Sequence, residues 1–127
     1  MTKDALTSAR QTLITEAAGL QKLADTIGDN INQAVDMLAQ AKGRVIVSGM
    51  GKSGHIGKKI TATLASTGTP AQFVHPAEAS HGDLGMITKD DVILALSWSG
   101  GTSELSGLLS YARRFSIPLI AITSNET

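Results

Sequence analysis

Apolar residues recur at three- and four-residue spacing through the first third of the chain: Leu6, Leu13, Ala17, Leu20, Ala24, Ile27, Ile31, Ala34, Leu38 and Ala41. That period predicts one long amphipathic helix, or two in line. Gly28-Asp29-Asn30 is the expected break, with Asp29 as N-cap of a second helix. Gly43 is expected to end it as a left-handed C-cap. The pattern then changes. Residues 44–48 form a short apolar run with Val45-Ile46-Val47 at its centre, which reads as a buried strand. The next helix is expected to bury Ile56, Ile60, Thr63, Leu64 and Thr67, with Gly68 closing it and Thr69-Pro70 turning the chain. Residues 72–74 read as a second strand, and residues 75–91 as a long connection. Connections of that length in compact domains are often functional. Residues 92–96 are wholly apolar, as in a strand buried on both faces. Residues 105–115 read as a helix, and residues 117–122 as a fourth strand entered through Pro118.

Strands alternating with helices predict an α/β fold, a parallel sheet with right-handed crossovers and helices on both faces. Two segments are expected: a helical segment, 1–43, packing on the sheet or in an oligomer interface, and a sheet domain, 44–127. The length of the N-terminal stripe favours an interface for part of it. In a doubly wound sheet a helix should follow the fourth strand. Without one the strand stays partly bare, so the sheet domain is expected to be incomplete, finished by further sequence or by a partner chain.

Composition narrows the partners. A chain of 127 residues suffices for one core. Eleven basic and eleven acidic side chains leave no basic excess for nucleic acid. The absence of cysteine removes disulfides, thiolate-held zinc and thiol chemistry. No apolar run approaches the roughly 20 residues of a membrane helix, and the polar N-terminus has no secretory core. A cytoplasmic location is the expectation.

Three stretches carry candidate chemistry. Gly49-Met-Gly-Lys-Ser-Gly54 lies at a strand-to-helix turn, where outward N–H groups favour an anion and Lys52 adds a cation. It matches the dinucleotide glycine spacing, but that fingerprint needs an acidic residue after the second strand. Val74-His75-Pro76 stands there instead. The Walker pattern would need glycine at position 46, which is isoleucine. A sugar phosphate or a developing oxyanion is the better partner for Lys52, against the plain alternative of a solvated surface lysine. The second stretch is Ser97-Trp98-Ser99-Gly100-Gly101-Thr102-Ser103-Glu104, at the C-terminal end of the third strand. Open α/β sheets bind ligands there. Hydroxyls beside a helix N-terminus make a phosphate cradle, while Glu104 also fits a capping box. Third, His75 and His81 lie in the long connection near Glu78 and Asp83. A histidine there can polarise a sugar oxygen or bind a metal, or simply be satisfied by loop backbone. The spacing is no specific zinc signature.

These residues together carry a resemblance. The lysine-bearing glycine turn, Ser-Thr-Gly-Thr-Pro, Val-His-Pro, His-Gly-Asp-Leu-Gly and Ser-Trp-Ser-Gly-Gly-Thr-Ser-Glu resemble, in order, the sugar isomerase (SIS) domain of the D-arabinose 5-phosphate isomerases. The resemblance implies a flavodoxin-like sheet. It implies interconversion of D-ribulose 5-phosphate and D-arabinose 5-phosphate for 3-deoxy-D-manno-octulosonate and lipopolysaccharide synthesis. It implies no required cofactor, and a homotetramer whose sites combine residues of several subunits. By position, Lys52 and Glu104 match catalytic residues. Ser53, Gly68, Thr69, His75, His81, Ser97, Ser99 and Thr102 match substrate-binding positions, and His75 also matches the place of an inhibitory zinc ion. Two departures stand out. The family's further catalytic glutamate and histidine, and the paired CBS modules of many members, lie beyond residue 127, so this chain alone is expected to be feeble or inactive. Trp98-Ser-Gly-Gly replaces a commoner asparagine- and glutamate-bearing version of the loop, and Trp98 is placed to narrow the pocket or shift sugar preference. The competing readings are a non-catalytic sugar-phosphate sensor, which lacks a basic recognition helix here, and a nucleotide-dependent enzyme, which lacks the acidic residue.

Overall fold

A computed structural model describes residues 4–101 and 103–125 and, at Glu104, the backbone. The chain divides into two compact units, Met1–Gln33 and Ala34–Thr127. In the first unit, helix α1 runs over Ala5–Thr26. Asp4 caps it, its carboxylate accepting from the Leu6 N–H at 3.3 Å and the Thr7 hydroxyl at 3.1 Å. The chain breaks at the expected glycine, and α2 follows over Asn30–Gln40. Asp29 stands just before α2, but its carboxylate accepts from the Asn32 side-chain amide at 2.8 Å rather than from a helical N–H. No helix of the described residues is long and apolar enough to cross a membrane.

The second unit is built on four parallel strands: β1 (Val45–Gly49), β2 (Ala71–Phe73), β3 (Val92–Leu96) and β4 (Leu119–Ile122), in the order β2-β1-β3-β4. That is the flavodoxin-like order. Between them lie α3 (Gly51–Ser66), α4 (Pro76–Ala79) and α5 (Ser106–Arg114), with 3-10 turns at Asp83–Met86 and Ser103–Leu105. Alternate residues of each strand face opposite sides. Val45, Val47, Leu94 and Leu96 pack against Ile60 and Leu64 of α3 and Leu38 of α2. Ile46 and Ile93 pack against Leu105, Leu108 and Ala112 on the other side, with Val74, Ala79 and Ile87. All five residues of β1 and of β3 are buried, as two-sided cover requires.

Three expectations need correcting. Gly43 has no positive φ. It is glycine because a Cβ would stand 2.3 Å from Asp91 Oδ1 and 3.0 Å from the Asp90 carbonyl. The buried face of α3 is only partly the predicted one: Ile60 and Leu64 pack on the sheet, but Ile56 is 57% exposed, and Thr63 and Thr67 are also exposed. Gly54 and Gly57 take the inner positions and bring the helix close to the sheet, which turns Ile56 outward. Finally, α5 starts at Ser106 with Leu105 as N-cap, so Glu104 lies in the preceding 3-10 turn and not at the third position of a capping box.

Candidate functional site

The C-terminal ends of parallel strands form one rim of the sheet. Between β1 and β3 the chain reverses its direction of winding, which is where such sheets bind ligands. A cavity of about 360 Å³ opens there. The first two turns of α3 line it with Lys52, Ser53 and Ile56, the end of β3 with Leu96, Ser97 and Trp98, and the end of β4 with Ile122, Thr123 and Ser124.

The first wall is a helix N-terminus without a protein cap. Met50 at the N-cap position makes no side-chain cap, and the first turn holds no acidic residue. The first N–H groups of a helix have no intrahelical partner, and they concentrate positive potential where Lys52 adds more. A cation in the first turn opposes the helix dipole. The arrangement therefore makes sense as a receptor for an anion and poor sense as a stabilising device. The glycines of the turn divide their work. Gly51 has φ +56° and open space around it, a backbone state that favours glycine. Gly49 and Gly54 serve packing. A Cβ on Gly54 would meet the Gly49 carbonyl oxygen at 2.6 Å, and one on Gly49 would meet Leu96 O at 3.1 Å. The obstacle at Gly54 is backbone and cannot swing aside. Gly54→Ala is expected to destabilise the domain by about 1–3 kcal/mol, read as a lowered urea midpoint at unchanged slope. An unchanged midpoint would show that α3 need not sit so close to β1.

The second wall is the serine loop, which folds on itself. Ser97 Oγ accepts from the Gly100 N–H at 3.1 Å, and Ser99 Oγ accepts from the Gly101 N–H at 3.2 Å. Gly100 has φ +73°, and a Cβ there would come within 2.9 Å of Thr123 Oγ1. Ser97 is nearly buried at the cavity floor, while Ser99 is exposed. Thr102 and the Glu104 side chain lie outside what is described.

The third wall was missing from the sequence reading. Thr123 and Ser124 follow β4 and fasten the serine loop. The Trp98 carbonyl accepts from the Ser124 N–H at 3.0 Å, the Thr123 hydroxyl at 3.1 Å and the Ser124 hydroxyl at 2.5 Å. Applying the strand-end rule to the fourth strand as well as to the first and third points to both residues.

The remaining candidates sit elsewhere in this chain. Gly68 (φ +99°) and Thr69 follow the far end of α3. A helix of 16 residues puts them about 24 Å from the first turn. His75 is the N-cap of α4, its Nδ1 accepting from the Ala77 N–H at 3.2 Å. The neutral ring must then carry its proton on Nε2, so it offers a donor. His75 lines a different cavity of about 490 Å³ with Lys58, Glu78, Asp83 and Met86. His81 is exposed just beyond α4. Among the described residues no three His, Asp or Glu side chains group as a metal site.

A family model described as "SIS domain" matches residues 37–127. The arabinose 5-phosphate isomerase KdsD of Pseudomonas aeruginosa is 58% identical over 122 residues, 96% of this chain and 37% of that protein. The arabinose 5-phosphate isomerase GutQ of Escherichia coli strain K12 is 51% identical over 127 residues, all of this chain and 40% of that protein. Among solved structures, c3406 of E. coli CFT073 in complex with A5P superposes with a TM-score of 0.91 at 36% identity, covering 98% of this chain and 67% of that one. The chain thus spans about two fifths of the length of the curated relatives it matches.

Proposed function

This chain belongs to the SIS domain family, in its arabinose 5-phosphate isomerase group, and from that premise we propose that its rim cavity binds a phosphorylated pentose for aldose–ketose isomerisation. The reaction is the interconversion of D-arabinose 5-phosphate and D-ribulose 5-phosphate, in the cytoplasm, as a step towards 3-deoxy-D-manno-octulosonate and lipopolysaccharide. The observation that carries the reading is the convergence of Lys52, Ser53 and Ser97 on one cavity at an uncapped helix N-terminus.

The reaction moves one proton between C2 and C1 of the open-chain sugar and another between their oxygens. The intervening enediolate places negative charge on those oxygens. Preorganised positive groups stabilise such charge, often as the largest catalytic term. In this reading Ser97, Ser99 and Thr102 hold the phosphate, the Lys52 ammonium faces the enediolate oxygens, and Ser53 donates from the same helical turn. Glu104 orients the substrate or exchanges protons. His75, with its Nε2 donor, and His81, Gly68 and Thr69 are not among the residues that line this cavity. They serve the sugar of a neighbouring copy in a homotetramer, whose contacts draw on the apolar stripe of the N-terminal helices.

The test is exchange of the C2 proton of arabinose 5-phosphate in D₂O, followed by proton NMR with the gene product that carries this chain. Loss of the C2–H signal at a protein-dependent rate is the expected result. Binding without exchange would favour the sugar-phosphate sensor.

A further inference from the structure

The chain contains one tryptophan, and the fold leaves Trp98 81% exposed. Tryptophan is highly buried on average, whereas this indole lines the rim cavity and lies outside the core. Its main chain is firmly set: three hydrogen bonds converge on its carbonyl from Thr123 and Ser124. The loop turns immediately after it, at Gly100. The ring thus stands on a fixed root at the cavity wall, in the company of Ile56, Leu96 and Ile122. The cavity has two kinds of surface. One is polar, made by Lys52, Ser53 and Ser97; the other is apolar, made by these four side chains.

A bare anion can use only the polar surface. A phosphorylated sugar has both a charged end and a carbon skeleton with a C–H face. We propose that Trp98 is a specificity-determining residue, its indole supporting the C–H face of the pentose while the phosphate is held by the polar surface. This rests on the reading of the cavity as a sugar-phosphate site. A rigid indole with two side-chain torsions presents much contact area at small entropic cost. Trp98 therefore distinguishes a phosphosugar from inorganic phosphate, which the lysine, the serines and the helix N-terminus cannot do.

The experiment pairs phosphorus NMR with tryptophan fluorescence, titrating the protein with arabinose 5-phosphate and, separately, with inorganic phosphate. The sugar phosphate is expected to shift or quench the single tryptophan's emission, and inorganic phosphate to leave it unchanged. Trp98→Ala is expected to weaken arabinose 5-phosphate about tenfold while leaving the affinity for inorganic phosphate within about twofold. Trp98→Phe, which keeps a flat ring, should retain most of the affinity. The exposed position means both variants keep the parent's circular dichroism and melting temperature. Parental affinity for arabinose 5-phosphate in Trp98→Ala overturns the proposal, and so does equal weakening of both ligands; in either case the sugar-phosphate site itself stands. If arabinose 5-phosphate produces no phosphorus shift with the parent protein, the site reading fails and takes the proposal with it.

Discussion

In the gene product that carries this chain, Lys52→Met is expected, under the proposed function, to lower isomerase turnover by about 10²–10³-fold and to leave the melting temperature unchanged or slightly raised. The two halves of that result have the same origin. Lys52 stands in the first turn of α3, where the first N–H groups have no intrahelical partner and the turn itself carries no acidic side chain. Removing a cation from a helix N-terminus typically gains about 0.3–1 kcal/mol. Removing it from the enediolate oxygens leaves the transition-state charge facing only dipoles. A methionine of similar length keeps an unbranched apolar stem at this position, so the comparison isolates the charge. Steady-state kinetics and a thermal melt on the same preparation check both halves. Unchanged turnover refutes the role assigned to Lys52. Lost turnover with a melting temperature several degrees lower would make Lys52 a structural residue instead.

The same turn shows what patterning can and cannot reveal. The strand positions were legible because Val45-Ile46-Val47 and residues 92–96 are apolar on both faces, a demand that only a covered parallel sheet makes. β4 is shorter than its apolar run because Pro118 has no N–H to donate to the ladder, although its carbonyl accepts from the Ile93 N–H. Glycine was harder to read. A positive φ, a close backbone approach and a ligand-facing turn all select glycine, and sequence does not tell them apart. Gly51 serves the first, while Gly43 and Gly54 serve the second. Because glycines make the inner face of α3 at its start and Ile60 and Leu64 only later, its apolar stripe misleads in part, and Ile56 belongs to the cavity and not to the core. Lys52, Ser53 and Ser97 were legible as neighbours because strand ends meet on one rim. Thr123 and Ser124 follow from the same rule applied to the fourth strand, but their hold on the Trp98 carbonyl is a long-range contact with no local pattern. Gly68, Thr69 and His75 carry the family's motif yet lie away from the cavity within this chain, a separation that spacing along the sequence does not report.

Asp91→Ala is expected to destabilise the domain by about 2–4 kcal/mol without changing ligand affinity in the folded protein. Asp91 is 2% exposed, just before β3. Its Oδ1 accepts from the Arg44 N–H at 2.7 Å and its Oδ2 from the Thr88 N–H at 2.8 Å. The Arg44 guanidinium lies 4.0 Å away and also reaches Gln72 and the Met86 carbonyl. Gly43 leaves room for the carboxylate, and the Gly43 N–H donates to the Asp90 carbonyl at 2.7 Å. This one side chain thus ties the entry of β1 to the entry of β3, setting the register in which Val45 pairs with Val92. Alanine leaves two part-buried backbone donors without their acceptor, and each such loss costs about 1–3 kcal/mol. Arg44→Met should cost less, since the guanidinium side chain is 37% exposed and exposed ion pairs contribute about 0–1 kcal/mol. Urea midpoints of the two variants give the ranking, and the order reversed would mean that the ion pair outweighs the backbone bonds. Because the strands are parallel, the Asp91 cluster and the Lys52 cavity lie at opposite ends of the same β1 and β3. Stability and chemistry should therefore separate by mutation. Asp91→Ala lowers the midpoint and spares affinity, and Lys52→Met does the reverse. A large affinity loss in folded Asp91→Ala would show that strand register at one end is transmitted to the rim at the other.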